Sequence, residues 1–180
     1  HSKNAPGFDV RSNIYRLTGV DLVAVTGLDD STVQTIIAEI GTDMSRWPTV
    51  KHFCSWLGLA PHNDISGRKV LRSKTLKQHN RAGQAFRMAA QSVMRTDTAY
   101  GAFYRRLAAR TGKEQATVAT AHKIARAVYV MLKNRVPFQQ MGADEYDRRY
   151  RQRLIARLSK RAFALGYRLV PLDTPETAAA

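Results

Sequence analysis

Residues 58–80 place a serine beside a glycine in a segment rich in basic residues. We predict that Gly58 ends a helix and that Asp64, Ser66 and Gly67 form a turn. A serine hydroxyl presented on a loop can act as a nucleophile once its proton is removed. The basic residues that follow include no acidic neighbour, so a polyanion such as a phosphate chain is their natural partner. These predicted phosphate-binding residues are Arg68, Lys69, Arg72, Lys74, Lys77 and Arg81.

Two other interpretations of the serine follow from the residues alone. A serine before a glycine often serves only the turn itself. Ser66 and Lys69 also match the S-x-x-K pattern, in which a lysine one helical turn later activates a serine for acyl transfer. That pattern needs a helix start, which Gly67 and the pair Val70-Leu71 disfavour, and no S-D-N or K-T-G partner follows. Acyl transfer is therefore the least favoured chemistry.

The chain offers no predicted metal or cofactor site. Its acidic residues are scattered or placed to cap helices, whereas a metal-dependent nuclease needs converging carboxylates. Its single cysteine, Cys54, lies on the predicted buried side of a helix and cannot form an internal disulfide. The histidines lack ligand spacing, and those considered are His52, His62, His79 and His122.

Charge is the strongest compositional signal. Lys and Arg number 29 against 14 Asp and Glu, which gives a formal net charge of +15. Such an excess favours nucleic acid as the partner, with an anionic membrane surface as the weaker alternative. No apolar run is long enough to span a bilayer and no signal peptide opens the chain, so we expect a soluble, intracellular protein. The first residue, His1, indicates a processed or excised product.

Two short apolar segments joined at Gly27 have the layout of a helix-hairpin-helix. In that motif, turn amides and a helix N-terminus receive a nucleic-acid phosphate, which makes Gly27 a candidate binding residue. Asp29 stands where a second turn glycine is usual, and its charge would repel phosphate. A purely structural helix pair, capped by Asp29 and ended by Gly41, is therefore the favoured alternative.

The remaining pattern predicts an all-α fold, a helical bundle in which a small β-hairpin at Val70-Leu71 stays open as an alternative. We expect Pro48 at the first position of a helix, Asp97 as a helix cap, and buried Leu17 and Met88. Met94 is also expected inside. The predicted organisation is a linker over residues 1–9, a helical domain over 10–141 that bears the serine loop, a basic C-terminal helix over 142–170, and a disordered tail over 171–180.

Several motifs in this order resemble the C-terminal domain of insertion-sequence transposases of the IS one-ten family, which are bridge-RNA-guided recombinases related to Piv-type invertases. The resemblance spans about residues 10–170. The motifs are Leu17-Thr18-Gly19-Val20-Asp21-Leu22, the ending Ala38-Glu39-Ile40-Gly41, FCSWLGLAP from Phe53 to Pro61, Ile65-Ser66-Gly67, and Asn80 followed by Phe86-Arg87 in an alanine-rich helix.

The resemblance implies that Ser66 is the catalytic serine of a DNA recombinase. It also implies an N-terminal RuvC-like domain that binds Mg²⁺. The partners that it implies are DNA, a bridge RNA and other copies of the chain in a homo-oligomer. The location that it implies is the bacterial cytoplasm, in association with the nucleoid. One departure from the family pattern is Arg68, where a second glycine often follows. Two other classes remain open from the residues: a non-catalytic nucleic-acid-binding module and a structural oligomerisation domain.

Overall fold

The computed structural model describes residues 7–75 and 80–171, without the side chains of residues 72–74. The described part is mainly helical, which confirms the predicted fold class, and a two-stranded antiparallel hairpin interrupts it. The helices are α1 (Val10–Thr18), α2 (Asp30–Ile40), α3 (Val50–Trp56), α4 (Arg81–Ser92), α5 (Ala99–Thr111), α6 (Lys113–Asn134) and α7 (Ala143–Ala164), and the strands are β1 (Pro61–Ser66) and β2 (Lys69–Thr75).

Local capping sets the ends of the first two helices. The Asp9 carboxylate accepts a hydrogen bond from the Ser12 amide at 3.0 Å, and Gly19 ends α1 in the left-handed conformation. The Asp29 carboxylate accepts from the Thr32 amide at 2.7 Å, as predicted. These carboxylates satisfy amides that have no partner inside a helix, so they specify where each helix begins.

An aromatic cluster forms the centre of the larger core. The Phe53 ring centroid lies 5.1 Å from that of Trp47, 5.5 Å from Tyr129 and 6.5 Å from Phe86. These rings come from α3, α4, α6 and the segment before α3, so one residue joins four parts of the chain. The Tyr129 hydroxyl donates to the Trp47 carbonyl at 2.8 Å, which satisfies the buried polar end of the ring.

Helix α4 crosses the end of α3 at a glycine. A methyl group built on Gly83 would lie 2.2 Å from the Leu57 carbonyl oxygen, far inside van der Waals contact. Only a residue without a side chain allows the two backbones to come this close. Leu57 lies shortly before β1 and Gly83 lies after β2 in the sequence. The contact between them therefore sets where the hairpin leaves the helical body.

The start of α7 packs on α5 through a second, smaller core of Ala102, Ala143 and Tyr146. Arg106 of α5 pairs with Asp147, and its guanidinium lies 3.7 Å from the Tyr150 ring centroid. After these two turns most of α7 is exposed, including a basic surface and several apolar side chains. The exposed large apolar residues of this region include Ile155, Leu158, Phe163 and Leu165.

Several sequence-based expectations about burial and capping are wrong. The apolar spacing predicted that Leu17 and Met88 face the core. Leu17 is 64% exposed and Met88 is 58% exposed, because they lie on helix faces that no other element covers. Met94 is also exposed. Helix α5 is capped by the Thr98 hydroxyl, not by Asp97. Pro48 precedes α3 by two residues, with Thr49 at the N-cap position.

We expect Gly83→Ala to lower the free energy of unfolding by about 3 kcal/mol, since the new methyl must displace the Leu57 backbone. Gly142→Ala is the matched control, because a methyl there meets no atom within 4 Å and the backbone is not left-handed. Chemical denaturation of both variants checks this expectation. Equal stabilities would mean that α3 and α4 do not approach as closely as described.

A chain that ends after Met141 should still fold and should melt only about 5 °C lower, because α7 contributes little beyond the burial of Tyr146 to the core. A chain that ends after Tyr150 keeps the Arg106 contacts and should melt close to the full chain. Differential scanning calorimetry of the two truncations checks this. Loss of folding in the shorter chain would instead place α7 in the main core.

We also expect the shorter chain to bind nucleic acid or itself more weakly.

Candidate functional site

The candidate site is the β1–β2 hairpin, which projects from the helical body between α3 and α4. Every residue of β1 is exposed, and Val70 and Leu71 of β2 are exposed as well. The Cα register pairs Pro61 with Thr75 at the base and Ser66 with Lys69 at the tip. A hairpin without buried side chains contributes little to the core, so its sequence is free to serve binding or chemistry.

The tip is a two-residue turn made by Gly67 and Arg68. Their φ angles are +54° and +65°, and positive values at both central residues define a type I′ turn. Glycine adopts this conformation freely, whereas an arginine there costs about 1 kcal/mol. The departure from the family pattern at Arg68 therefore leaves the turn type possible and adds a cation beside the serine, at the cost of local strain.

The structure corrects the predicted boundaries of this segment. Asp64 and Ser66 lie within β1 and only Gly67, with Arg68, forms the turn. The hairpin that the sequence left open at Val70-Leu71 is present and longer, extending to Thr75. It contains a bulge: Asp64 pairs with Arg72 and Ile65 pairs with Val70, which leaves Leu71 as the extra residue.

Ser66 and Lys69 are brought together by the hairpin and not by a helix. Directly opposite residues of an antiparallel pair have Cβ atoms about 4.5–5.5 Å apart on one face of the sheet. Lys69 can thus place a positive charge beside a phosphate at Ser66. Because Ser66 and Lys69 lie in strands, they do not form the helix start that the S-x-x-K pattern of acyl transfer requires.

His62 and Asp64 occupy the same face of β1 as Ser66, and the His62 Nε2 lies 3.8 Å from the Asp64 Oδ1. These residue types suggest a serine–histidine–aspartate triad, but the geometry of a strand excludes it. Four residues along a strand separate Cα atoms by about 13 Å, which is beyond the reach of a hydrogen bond from His62 to Ser66. His62 is therefore not in position to act as the base for Ser66.

The base of the hairpin is tied to the helical body by Asn80 and Arg87. The Asn80 side chain accepts from the Gly83 amide at 2.9 Å as the cap of α4, and its amide donates to the Trp56 carbonyl at 3.4 Å. Arg87 donates to the Gly58 carbonyl at 2.7 Å. Both chain ends of the hairpin are thus held to α4.

In the sequence, Asn80 and Arg87 stand out only as part of a resemblance, and neither has an expected role. The signal that pointed to Asn80 was its position directly before an alanine-rich helix, where asparagine is a favoured cap. Nothing local indicated the bond from Arg87 to a carbonyl 29 residues earlier in the chain. Its partial burial lowers the pKa of Arg87 from its usual value.

The other predicted phosphate-binding residues are distributed along and below the hairpin. Arg72 and Lys74 pair through their backbones with Asp64 and His62, and their side chains are not described. Lys77 lies outside the described residues. Arg81 begins α4, and its Nε lies 3.5 Å from a Glu39 carboxylate oxygen, which offsets part of its charge.

Gly27 lies in a turn that faces the helical body. A methyl group on it would lie 2.5 Å from Val93 Cγ1 and 2.8 Å from the Ala89 carbonyl oxygen, and its φ is +93°. A three-residue 3₁₀ turn precedes it where the motif would have a helix. Asp29 already accepts a hydrogen bond from the Thr32 amide, and hydrogen bonding to Thr32, first of all to its side chain, lowers the pKa of Asp29. These contacts favour the structural interpretation, and phosphate binding at Gly27 stays a prediction.

Cys54 is fully buried, and burial raises the pKa of its thiol to about 11. It therefore lacks the thiolate character of a nucleophilic cysteine. Within residues 7–75 and 80–171, no three His, Cys, Asp or Glu side chains come together as a metal site would require. None of the helices in this part of the chain has the length and apolar content needed to cross a membrane.

Fold and site together describe a basic, mainly helical domain that presents a serine on an exposed hairpin. Residues 21–105 match the model of the Transposase IS116/IS110/IS902 family, a segment that includes α2, the hairpin, α4 and the start of α5. Residues 21–105 are therefore similar to a DNA transposase domain of this family. The match covers just under half of the chain. No curated protein matches it.

We expect Gly67→Val to loosen the hairpin without loosening the core, because a β-branched residue is strained at a positive φ. A local cost of about 1–2 kcal/mol should speed hydrogen exchange of the cross-strand amides about tenfold. The melting temperature should change little. Arg68→Asn is the control, since asparagine tolerates this conformation. A fall in melting temperature as large as that of Gly83→Ala would contradict the isolation of the hairpin from the core.

Proposed function

We propose that this chain is the serine-bearing domain of a bridge-RNA-guided DNA transposase, which cuts and rejoins DNA through a phosphoserine link at Ser66. The observation that carries the proposal is the position of Ser66. It lies exposed at the tip of a projecting hairpin, opposite Lys69 and two residues before Arg68, inside the segment that matches the transposase family.

The proposed reaction conserves the energy of the DNA backbone. The Ser66 oxygen attacks a backbone phosphorus, a bond from phosphorus to a deoxyribose oxygen breaks, and the released DNA hydroxyl takes up a proton. One phosphodiester is exchanged for another, so a second DNA hydroxyl can attack the phosphoserine and reseal a strand without ATP. Exposure of the tip favours this chemistry, because a duplex cannot enter a narrow pocket.

The basic residues at the tip support two parts of this reaction. A phosphate under attack accumulates negative charge on its oxygens, and cations held nearby stabilise that charge. Lys69, opposite Ser66, is the cation best placed for this role. Arg68 is adjacent in the turn, and its planar guanidinium suits a phosphate that flanks the reacting one.

We propose that the group that takes the Ser66 proton comes from outside the described residues of this chain. His62 is too far from Ser66 along β1, and the described carboxylates form no cluster that fits a Mg²⁺ site: Asp29 caps a helix, Asp147 pairs with Arg106, and Asp64 lies beside His62. We propose that a RuvC-like domain that binds Mg²⁺, in the same protein or in another subunit of a homo-oligomer, completes the site. No residue of this chain is assigned to that metal.

In the protein that joins this chain to the RuvC-like domain, Ser66→Ala should abolish strand exchange and the covalent DNA adduct. Folding and nucleic-acid binding should persist, because loss of an exposed hydroxyl changes stability by about 0.5 kcal/mol or less. Ser55→Ala, an exposed serine on α3, is the matched control and should stay active. Trapping on a nicked DNA substrate followed by mass spectrometry provides the measurement.

Two outcomes would contradict this assignment. Activity above background in the Ser66→Ala protein, or an adduct mapped to Ser73 or Thr75, would exclude Ser66 as the nucleophile. Metal-dependent cleavage by the 180-residue chain alone would contradict the proposed division between two domains.

A further inference from the structure

A cavity of about 650 Å³ lies where α7 leaves the body of the protein. It is bounded by the start of α5, the middle of α6, the segment before α7 and the inner face of α7. None of its lining residues belongs to the β1–β2 hairpin. The volume is in the range of pockets that hold small organic ligands, about 300–1,000 Å³.

The walls of this cavity are cationic. Lys123 of α6 and Arg149 and Arg153 of α7 line it, and no aspartate or glutamate is among its lining residues. Arg149 also contacts Glu145, one turn earlier on α7, so its charge is partly offset. Lys123 and Arg153 have no carboxylate within ion-pair distance among the described residues. Two cations that face one cavity repel each other, and a bound anion would relieve that repulsion.

Lys123 is held in position by aromatic rings. Its Nζ lies 3.9 Å from the Phe103 ring centroid and 5.1 Å from that of Tyr146. Partial burial and the nearby charges of Arg153 and Arg106, with Arg126, lower the pKa of Lys123 from its usual value. The side chain is therefore partly desolvated and oriented before any ligand arrives, which strengthens its attraction for an anion.

The same cavity also offers flat apolar surface and amide groups. The Tyr100 and Phe138 rings stack with centroids 6.2 Å apart at an interplanar angle of 17°, and both residues line the cavity. The lining also includes Gln139, Gln140 and Gln152. A glutamine side chain both donates and accepts hydrogen bonds, as recognition of a base edge requires.

We propose that this cavity binds one nucleotide of a single-stranded nucleic acid, with the phosphate at Lys123 and Arg153 and the base against the rings and glutamines. An inorganic anion would use only the cations, and an apolar ligand would leave them unpaired. A nucleotide uses both parts of the lining. This site goes beyond the proposed role of Ser66 and does not depend on it.

The test compares two charge-matched double variants of the full chain. Lys123→Gln with Arg153→Gln removes the cavity cations, whereas Lys113→Gln with Arg157→Gln removes one cation from each of the same two helices outside the cavity. Fluorescence anisotropy at one salt concentration follows a short labelled single-stranded oligonucleotide, an abasic oligonucleotide of equal length and the corresponding duplex. We expect the cavity pair to weaken single-strand binding about tenfold more than the control pair, since two charge-assisted contacts are lost. Duplex binding should fall equally in both pairs.

A second variant tests the base. Phe138→Ala should weaken binding of the normal oligonucleotide about tenfold and leave the abasic one unchanged, because only the normal one has a base to stack on the ring. Adenosine monophosphate tests whether the ligand is a free nucleotide or a nucleotide within a strand. Binding much weaker than that of the oligonucleotide supports a nucleotide within a strand, and equal binding would overturn the claim that the nucleotide belongs to a strand. Equal losses for the cavity and control pairs would overturn the whole proposal. Retention of these effects in Ser66→Ala separates the cavity from the proposed nucleophile.

Discussion

The structure depends on the close approach of α4 to the end of α3. Because Gly83 has no side chain, its backbone lies against the Leu57 carbonyl, and the cap at Asn80 and the bond from Arg87 then hold both ends of the hairpin. These contacts turn an exposed two-stranded hairpin, marginal by itself, into a projection with a defined base. The aromatic cluster around Phe53 lies directly below and resists rotation of α3 against α4.

The division between a rigid base and an exposed tip suits a reaction on a large substrate. A nucleophile that attacks a DNA backbone must be accessible from outside, so it cannot rely on a closed pocket to exclude water or to hold a base. For the proposed role of Ser66, the hairpin offers an exposed serine, a cation opposite it and a base that is held to the helical body. In the reaction that we propose, a second component activates the serine, and such a two-part site is inactive until both parts are present on the substrate.

Ion pairs are unevenly distributed over the described residues. Some cations of the helical body pair with carboxylates, as Arg106 does with Asp147 and Arg11 does with Asp21. The cations of the tip and of the cavity beside α7 lack such partners among the described residues, with Arg149 the partial exception. Besides the exposed basic residues of α7, the tip and the cavity are therefore two separate cationic sites suited to polyanions.

The sequence by itself determined the helical class, most helix boundaries and the segment that bears Ser66, because caps and apolar periodicity act between residues a few positions apart. Asp29 and Gly19 specify helix ends in any surroundings that leave the backbone free. The sequence left the hairpin as an open alternative, since a type I′ turn with arginine at a positive φ has no strong local signal. Tertiary structure alone decided that Met88 is exposed, that Gly83 marks a helix contact, and that Lys123 and Arg153 share a cavity. These features depend on which elements pack together across long stretches of chain, and neither spacing nor composition encodes that choice locally.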